Sequence, residues 1–293
     1  MVKESVFLGT SAAEMNPNPF CKCEVCERER VNQEGRLRSA FWLDETMVID
    51  FGPDIAAASV VYHAPLCELE HVLITHTHED HFDSAAFSVM TMSGIEKPIH
   101  FYLTEEGLDW TQKLIALEKH VPGTFGYMLD YLQSCNRIRL HTMKAYESYE
   151  LSGKTVAPLK TNHPGYGVGE FGFNYLIRWE RGNWLYASDS GRYPEENFEY
   201  LKEYVKKHGA LDTVIFEGTY GNDDSYNGKS HMSARLLVGE IQKYIDFGLF
   251  HDQTRIYITH INPVQTFTAE QYQEYLQERV NANITIARDG MRI

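Results

Sequence analysis

Between Thr75 and Phe82 the chain runs Thr-His-Thr-His-Glu-Asp-His-Phe, directly after the apolar stretch Val72-Leu73-Ile74. Five side chains able to bind a metal or take a proton (His76, His78, Glu79, Asp80 and His81) fall within six positions. If the strand runs on, residues i, i+2 and i+4 share a face. His76, His78 and Asp80 are then expected to converge, with His81 turned to a neighbouring position. Imidazole and carboxylate together suit Zn, Mn, Fe or a similar divalent ion. Two ions about 3.5–4 Å apart are the usual reason for so many ligands at so short a spacing. A surface loop that is merely rich in histidine would not repeat it in this pattern at a strand end.

Four more apolar runs end in residues of the same kind. His163 closes Lys160-Thr161-Asn162-His163, and Asp189 follows Trp184-Leu185-Tyr186-Ala187-Ser188. Glu217 closes Val214-Ile215-Phe216-Glu217, and His260 follows Ile256-Tyr257-Ile258-Thr259. Each alone reads as a polar turn residue; together with the first motif they are enough for two ions. Three of the five cysteines, Cys21, Cys23 and Cys26, form Cys-x-Cys-x2-Cys, a spacing that reads as a structural zinc site. Cys67 and Cys135 stand alone and are expected to be ordinary buried residues.

Strands and helices alternate around these candidates. Val6–Leu8, Ser39–Leu43 and Thr46–Gly52 read as strands of a meander, the last two joined by the turn pair Asp44-Glu45. The small residues Gly9-Thr10-Ser11-Ala12-Ala13 let the backbone pass close to something. Helical patterns cover Phe82–Met92, Thr104 (as N-cap) to His120, Pro194–His208, Met232–Ile245 and Thr266–Val280, with Thr268-x-x-Gln271 as a capping box. Further strands are expected at 98–103, 137–141, 148–151, 154–161, 171–179, 184–187, 213–217, 255–259 and 283–288. The aromatic, turn-rich segment 122–134 reads as a lid, a partner surface or simple packing. No linker, repeat or low-complexity tract interrupts the chain, so residues 1–293 are expected to form one α/β domain: a four-layer αββα sandwich of two mixed sheets face to face.

Composition narrows the partners. A hydrophobic share of 43% is enough for a core, and no run approaches the roughly 18 apolar residues of a membrane span. The first ten residues read as a strand rather than a signal peptide, which makes the cytoplasm the expected compartment. Acidic residues outnumber basic ones 41 to 27, a formal net charge of −14. A protein holding long nucleic acid normally offers a basic face to phosphates, so a small substrate is expected instead, with a homodimer as the candidate assembly.

At this point the chain resembles the metallo-β-lactamase superfamily over nearly its whole length, most specifically in Thr75-His76-x-His78-x-Asp80-His81. The resemblance implies that His76, His78 and His163 hold one ion, that Asp80, His81 and His260 hold a second, that Asp189 bridges them, and that Asp50 lies beneath the site. It implies Zn or Mn, with Fe as the alternative. The superfamily's flavo-di-iron reductases tend to carry Glu at the place of His78, so a hydrolase is implied rather than a redox enzyme. Glu217-Gly218-Thr219 and His231-Met232-Ser233 resemble the Glu-x-Thr and His-x-[Ser/Thr] motifs of ribonuclease Z and its phosphodiesterase relatives. There a carboxylate orients a histidine that protonates the leaving alkoxide, a step that a poor leaving group requires. The cysteine trio resembles that of phosphoribosyl cyclic phosphodiesterase, whose fourth zinc ligand is a histidine where this chain has Pro263; the match ends there. The reading is a phosphodiesterase for a small, cyclic or linear, diester. Metal-bound hydroxide serves as nucleophile, Asp80 and Glu217 complete the site, and His231 is the general acid. The alternatives are a ribonuclease Z-like nuclease, a thioester or lactone hydrolase, and a catalytically silent metal-binding scaffold.

Overall fold

The computed structural model describes residues 4–225, 228–264 and 267–293. The first half runs β1 (Val6–Gly9), α1 (Glu24–Asn32), β2 (Ala40–Asp44), β3 (Met47–Ile49), α2 (Ile55–Val61), β4 (His71–Leu73), α3 (Ser84–Thr91), β5 (Ile99–Leu103), α4 (Glu105–Glu118), α5 (Phe125–Ser134) and β6 (Ile138–Thr142). The second runs β7 (Tyr149–Leu151), β8 (Lys154–Pro164), β9 (Phe171–Trp179), β10 (Gly182–Ala187), α6 (Glu195–His208), β11 (Leu211–Glu217), α7 (Ala234–Asp246), β12 (Phe250–Thr259), α8 (Ala269–Gln277) and β13 (Asn283–Ile286).

Each half builds one mixed sheet, in the order β1-β2-β3-β4-β5-β6 and β13-β12-β11-β10-β9-β8-β7. Both start as an antiparallel meander and continue with parallel strands, β3 to β6 in one and β10 to β13 in the other. Alternating side chains sort into separate layers, as a two-faced strand requires. On β10, Trp184 and Tyr186 point between the sheets, where Phe41, Leu73 and Ile215 meet them. Leu185 and Ala187 point outward, onto Phe198 and Leu201 of α6 and Leu237 and Ile241 of α7. On the other sheet Val72 and Phe101 face outward onto Ile55, Phe87 and Leu129 of α2, α3 and α5. The expected αββα sandwich is the fold observed.

Several local expectations change. The strand expected over Thr46–Gly52 stops at Ile49, because Asp50 takes a left-handed conformation (φ 67°). The segment 122–134 contains α5, which fills the outer layer: Leu129 and Leu132 are fully buried, and the Phe125 ring meets Phe82 at 5.0 Å and Phe87 at 5.7 Å. Cys67 and Cys135 are exposed, not buried; one lies in the loop before β4 and the other caps the C-terminus of α5. Thr266 lies outside the described residues, while the capping box of Thr268 and Gln271 opens α8 as expected. Helices α1 and α2 were not foreseen. Among the described residues no helix is long and apolar enough to cross a membrane.

Candidate active site

The C-terminal ends of β4, β8, β10, β11 and β12 meet at one rim. Backbone contacts fix the two sheets there: Phe173 N–H donates to the Thr75 carbonyl at 2.7 Å, and the Tyr175 hydroxyl to that of Ile74 at 2.5 Å. After Leu73 the chain leaves the strand and turns, with Phe82 N–H bonded back to the His78 carbonyl at 2.8 Å. His76, His78 and Asp80 therefore do not share one face by strand alternation. The turn splits them: His76 and His78 gather with His163, and Asp80 and His81 with His260. Gly52 permits this close passage, since a Cβ there would lie 2.0 Å from the Asp80 carbonyl oxygen.

Buried partners set which nitrogen each histidine presents. The Thr75 hydroxyl donates to Asp50 Oδ1 at 2.8 Å, so it can only accept from His76 Nδ1 at 3.1 Å. His81 Nδ1 donates to Asp50 Oδ2 at 2.7 Å, and His163 Nδ1 to the Ser230 carbonyl at 3.0 Å. The Thr219 hydroxyl donates to Glu217 and accepts from His260 Nδ1 at 2.9 Å. All four rings are left presenting Nε2 inward, the usual arrangement behind a metal-binding histidine. His78 presents Nδ1, 2.9 Å from His76 Nε2 and 3.1 Å from His163 Nε2.

Charge follows burial and neighbours. Burial, reinforced by the surrounding imidazoles, drives His76 well below its ordinary pKa, and burial lowers His78 and takes His163 down to about 4. Three neutral rings thus aim lone pairs at one point. Burial also opposes a charge on His81, but Asp80, Asp50 and Asp189 override it and raise that ring well above the usual range. Asp80 and Asp189 show the converse: burial pushes them up, yet His81 and His260 hold both well below the usual carboxylate range. Asp189 sits centrally, Oδ2 2.5 Å from His81 Nε2 and Oδ1 3.1 Å from His260 Nε2. Both Asp189 oxygens and the Nε2 atoms of His81 and His260 are buried without a hydrogen-bond partner. A cation among them would satisfy the two carboxylate oxygens and, with the rings neutral, both Nε2 atoms at once. Asp50, Asp189 and His260 all hold positive φ, at 67°, 48° and 56°, a conformation uncommon for non-glycine residues that turns each strand end toward the cluster.

Glu217 and His231 form a second arrangement against the first. Glu217 is fully buried and accepts from Thr219 N–H at 3.2 Å, from the Thr219 hydroxyl and from Met232 N–H. His231, just before the N-cap Ser233 of α7, places Nδ1 3.3 Å from Glu217 Oε2 and 3.4 Å from Asp189 Oδ1. Burial disfavours its cation, but Glu217 and then Asp189 and Asp80 carry the pKa up to about 9. The ring stacks on His260 and borders a cavity of about 120 Å³ together with His78, Asp80, Asp189, Tyr220 and the Ala12-Ala13-Glu14 segment. No lysine or arginine lines this cavity among the described residues.

The cysteines also assemble. Their sulfurs lie within 4.8 Å of one another, and the Cys26 thiol is pushed up to about 12 by burial first and by Cys23 and Cys21 next. Cys23 precedes α1, and its sulfur is 3.6 Å from the Pro263 carbonyl, so the trio abuts the loop after His260. Every histidine and carboxylate of the cluster is among the residues that the sequence pattern marks. That pattern gives no roles to Thr75, Thr219 and Ser230 and does not mark Glu14; the threonines' places beside ligands were the one available signal.

A family model described as the beta-lactamase superfamily domain matches residues 45–261. No curated protein matches the sequence. Among solved structures, a new diphosphatase from the PhnP family is 19% identical with a TM-score of 0.69, covering 99% of this chain and 96% of that one. The Zn(2+)-bound PqqB from Methylobacterium extorquens is 17% identical with a TM-score of 0.66, covering 99% of each chain. Unliganded yeast PDE1 is 14% identical with a TM-score of 0.66, again covering 99% of each. At these identities the likeness is one of fold. With the family model spanning β3 to β12 and every strand end that carries the cluster, the chain belongs to the beta-lactamase superfamily and has the metallo-β-lactamase fold.

Proposed function

We propose that this chain is a dinuclear metal-dependent phosphodiesterase for a small diester, cyclic or linear, with His231 as general acid. The observation that carries the proposal is the Glu217–His231 pair set against the His/Asp cluster, with His231 carrying its proton up to about 9. His76, His78 and His163 would hold one ion and Asp80, His81 and His260 the other, with Asp189 between them. The inward lone pairs and the unpartnered Asp189 oxygens fit that role. When bound, two divalent ions would lower the pKa of a water and neutralise the phosphoryl oxygens. Zn is the ion of the PqqB structure, and the donor set suits Zn or Mn. Uptake at the second position would displace the proton that the carboxylates hold on His81.

The chain's own residues divide the remaining work. Asp50, Thr75, Ser230 and Thr219 fix ring orientation. Glu217 keeps His231 protonated and turns its Nε2 outward, where it can give a proton to a departing alkoxide. With no lysine or arginine lining the cavity among the described residues, a diester's single charge would be met by the ions and His231, with little left for further phosphates. That weighs against a nuclease, as does the net charge of −14. Cys21, Cys23 and Cys26 would bind a structural zinc. The cluster's ions and the substrate class are tested together. Wild type should bind two divalent ions at the cluster and turn over phosphodiesters in preference to thioesters and lactones. D189A should lose both ions while circular dichroism shows the fold intact. Preferred turnover of a thioester or lactone, or of tRNA, would replace this reading.

A further inference from the structure

Three buried carboxylates outside the cluster, Glu29, Glu170 and Glu240, have no part in the chemistry described, and of these Glu170 reaches the segment that carries His76 and His78. Glu170, 2% exposed, lies in the turn between β8 and β9, seven residues after His163. Its Oε2 accepts from the Thr77 hydroxyl and from Gly167 N–H at 2.8 Å, and its Oε1 from the Thr104 hydroxyl at 3.2 Å. Each hydroxyl in turn accepts a backbone N–H: Tyr166 to Thr77 and Gly107 to Thr104, both at 2.9 Å. Every group around the carboxylate is a donor, and every donor belongs to a different piece of the site's frame. Thr77 stands between His76 and His78, Thr104 caps α4, and Gly167 and Tyr166 form the turn that follows His163.

The backbone is shaped around this group. A Cβ at Gly165 would fall 2.2 Å from Glu170 Oε2, one at Gly107 2.8 Å from Oε1, and one at Gly167 3.0 Å from Oε2. Three glycines thus close on one carboxylate. The turn they allow lays the Tyr166 ring edge-on against His78 at 4.8 Å and against Trp110 of α4 at 5.6 Å, with the Tyr166 hydroxyl on Glu79.

We propose that Glu170 is a positioning residue: it ties the turn after His163 to Thr77 and so fixes His76, His78 and His163 relative to one another before an ion enters. This rests on reading those three as ligands. A carboxamide at position 170 would face at least one of the three donors with its own N–H groups. A threonine-to-valine change at 77 would remove both the hydroxyl that donates to Glu170 and the acceptor for Tyr166. The serine variant keeps both.

The test is chelator competition with Zn2+ and the absorption spectrum of the Co2+-loaded protein, on wild type, E170Q, T77V, T77S and the E170Q/T77V double variant. Groups behind metal ligands typically change affinity about 10- to 100-fold. The expected result is at least a tenfold loss at one of the two cluster sites, counted apart from the cysteine site, in E170Q and in T77V, with an altered Co2+ spectrum. The double variant should be no worse than either single one, and T77S should match wild type. If E170Q does not fold, T77V and T77S decide. Wild-type affinity and spectrum in E170Q and T77V, with two ions bound, would overturn the inference. A wild type that takes up no ion would instead sink the ligand reading, and this inference with it.

Discussion

Glu217 and His231 each define the other's state. The carboxylate is held by Thr219 and Met232 and faces the imidazole at 3.3 Å, and the imidazole keeps its proton to about pH 9 against the penalty of burial. As the proposed general acid His231 must be protonated, so activity on a diester with a poor leaving group should fall on the alkaline side, at a pH that the contact with Glu217 raises. E217Q should move that limb to lower pH, and H231A should lack it; a pH–kcat/KM profile for each variant makes the comparison. At this scale the sequence was informative where side chains do the chemistry directly, because His, Asp and Glu at strand ends are conspicuous. It was uninformative where a hydroxyl or carbonyl works from behind. Thr75 and Thr219 stand inside motifs that give them no role of their own, and only the fold shows that each donates to a carboxylate and accepts from a cluster histidine's Nδ1. Glu170 is hidden for the same reason, its three donors coming from segments up to 93 residues away.

Strand β4 is three residues long, yet it carries the site at one end and a second histidine at the other. His71 is wedged between the sheets, Nδ1 3.1 Å from the Tyr102 hydroxyl and Nε2 2.9 Å from Ser152 Oγ in the β7–β8 turn. Burial depresses its pKa to about 4, only partly offset by Glu70. The unfolded chain therefore takes up this proton first, near the ordinary value of 6.5, and the folded chain only near 4. Stability should fall as the pH drops between those values, by about 1.4 kcal/mol per tenfold difference in proton affinity once the pH is below both. Urea unfolding at pH 7 and pH 5 should show a smaller acid loss in H71Q than in wild type; equal losses would contradict the assignment. The elements also show where pattern reading ends. Long strands and capped helices such as α4 and α8 were legible. α1 carries Glu and Arg around most of its surface with only Val25, Cys26 and Glu29 buried, and α2 is a seven-residue apolar run without a polar face. Neither offers the 3.6-residue period that marks a surface helix. In 122–134 the aromatics left a lid, a partner surface and simple packing open, and Phe125, Leu129 and Leu132 pack onto the core.

The whole molecule brings five strand ends from two sheets to one rim, three of them in parallel register (β10, β11 and β12). Each sheet alone would carry half a site: β4 supplies His76 to His81, and the second sheet supplies His163, Asp189, Glu217, His231 and His260. Their union depends on sandwich packing, which no single motif encodes, although the repeated strand-then-ligand pattern implied it. The surrounding charge is acidic and no lysine or arginine lines the cavity among the described residues, so bound ions and the His231 cation would supply the attraction for phosphate. Whether His231 protonates the leaving oxygen of a phosphodiester is read from the leaving-group dependence of H231A. For alkyl diesters the loss in kcat should be about 10²- to 10⁴-fold, shrinking towards wild-type rates for nitrophenyl diesters, which depart without a proton. An equal loss across the series, or none with alkyl leaving groups, would contradict the account.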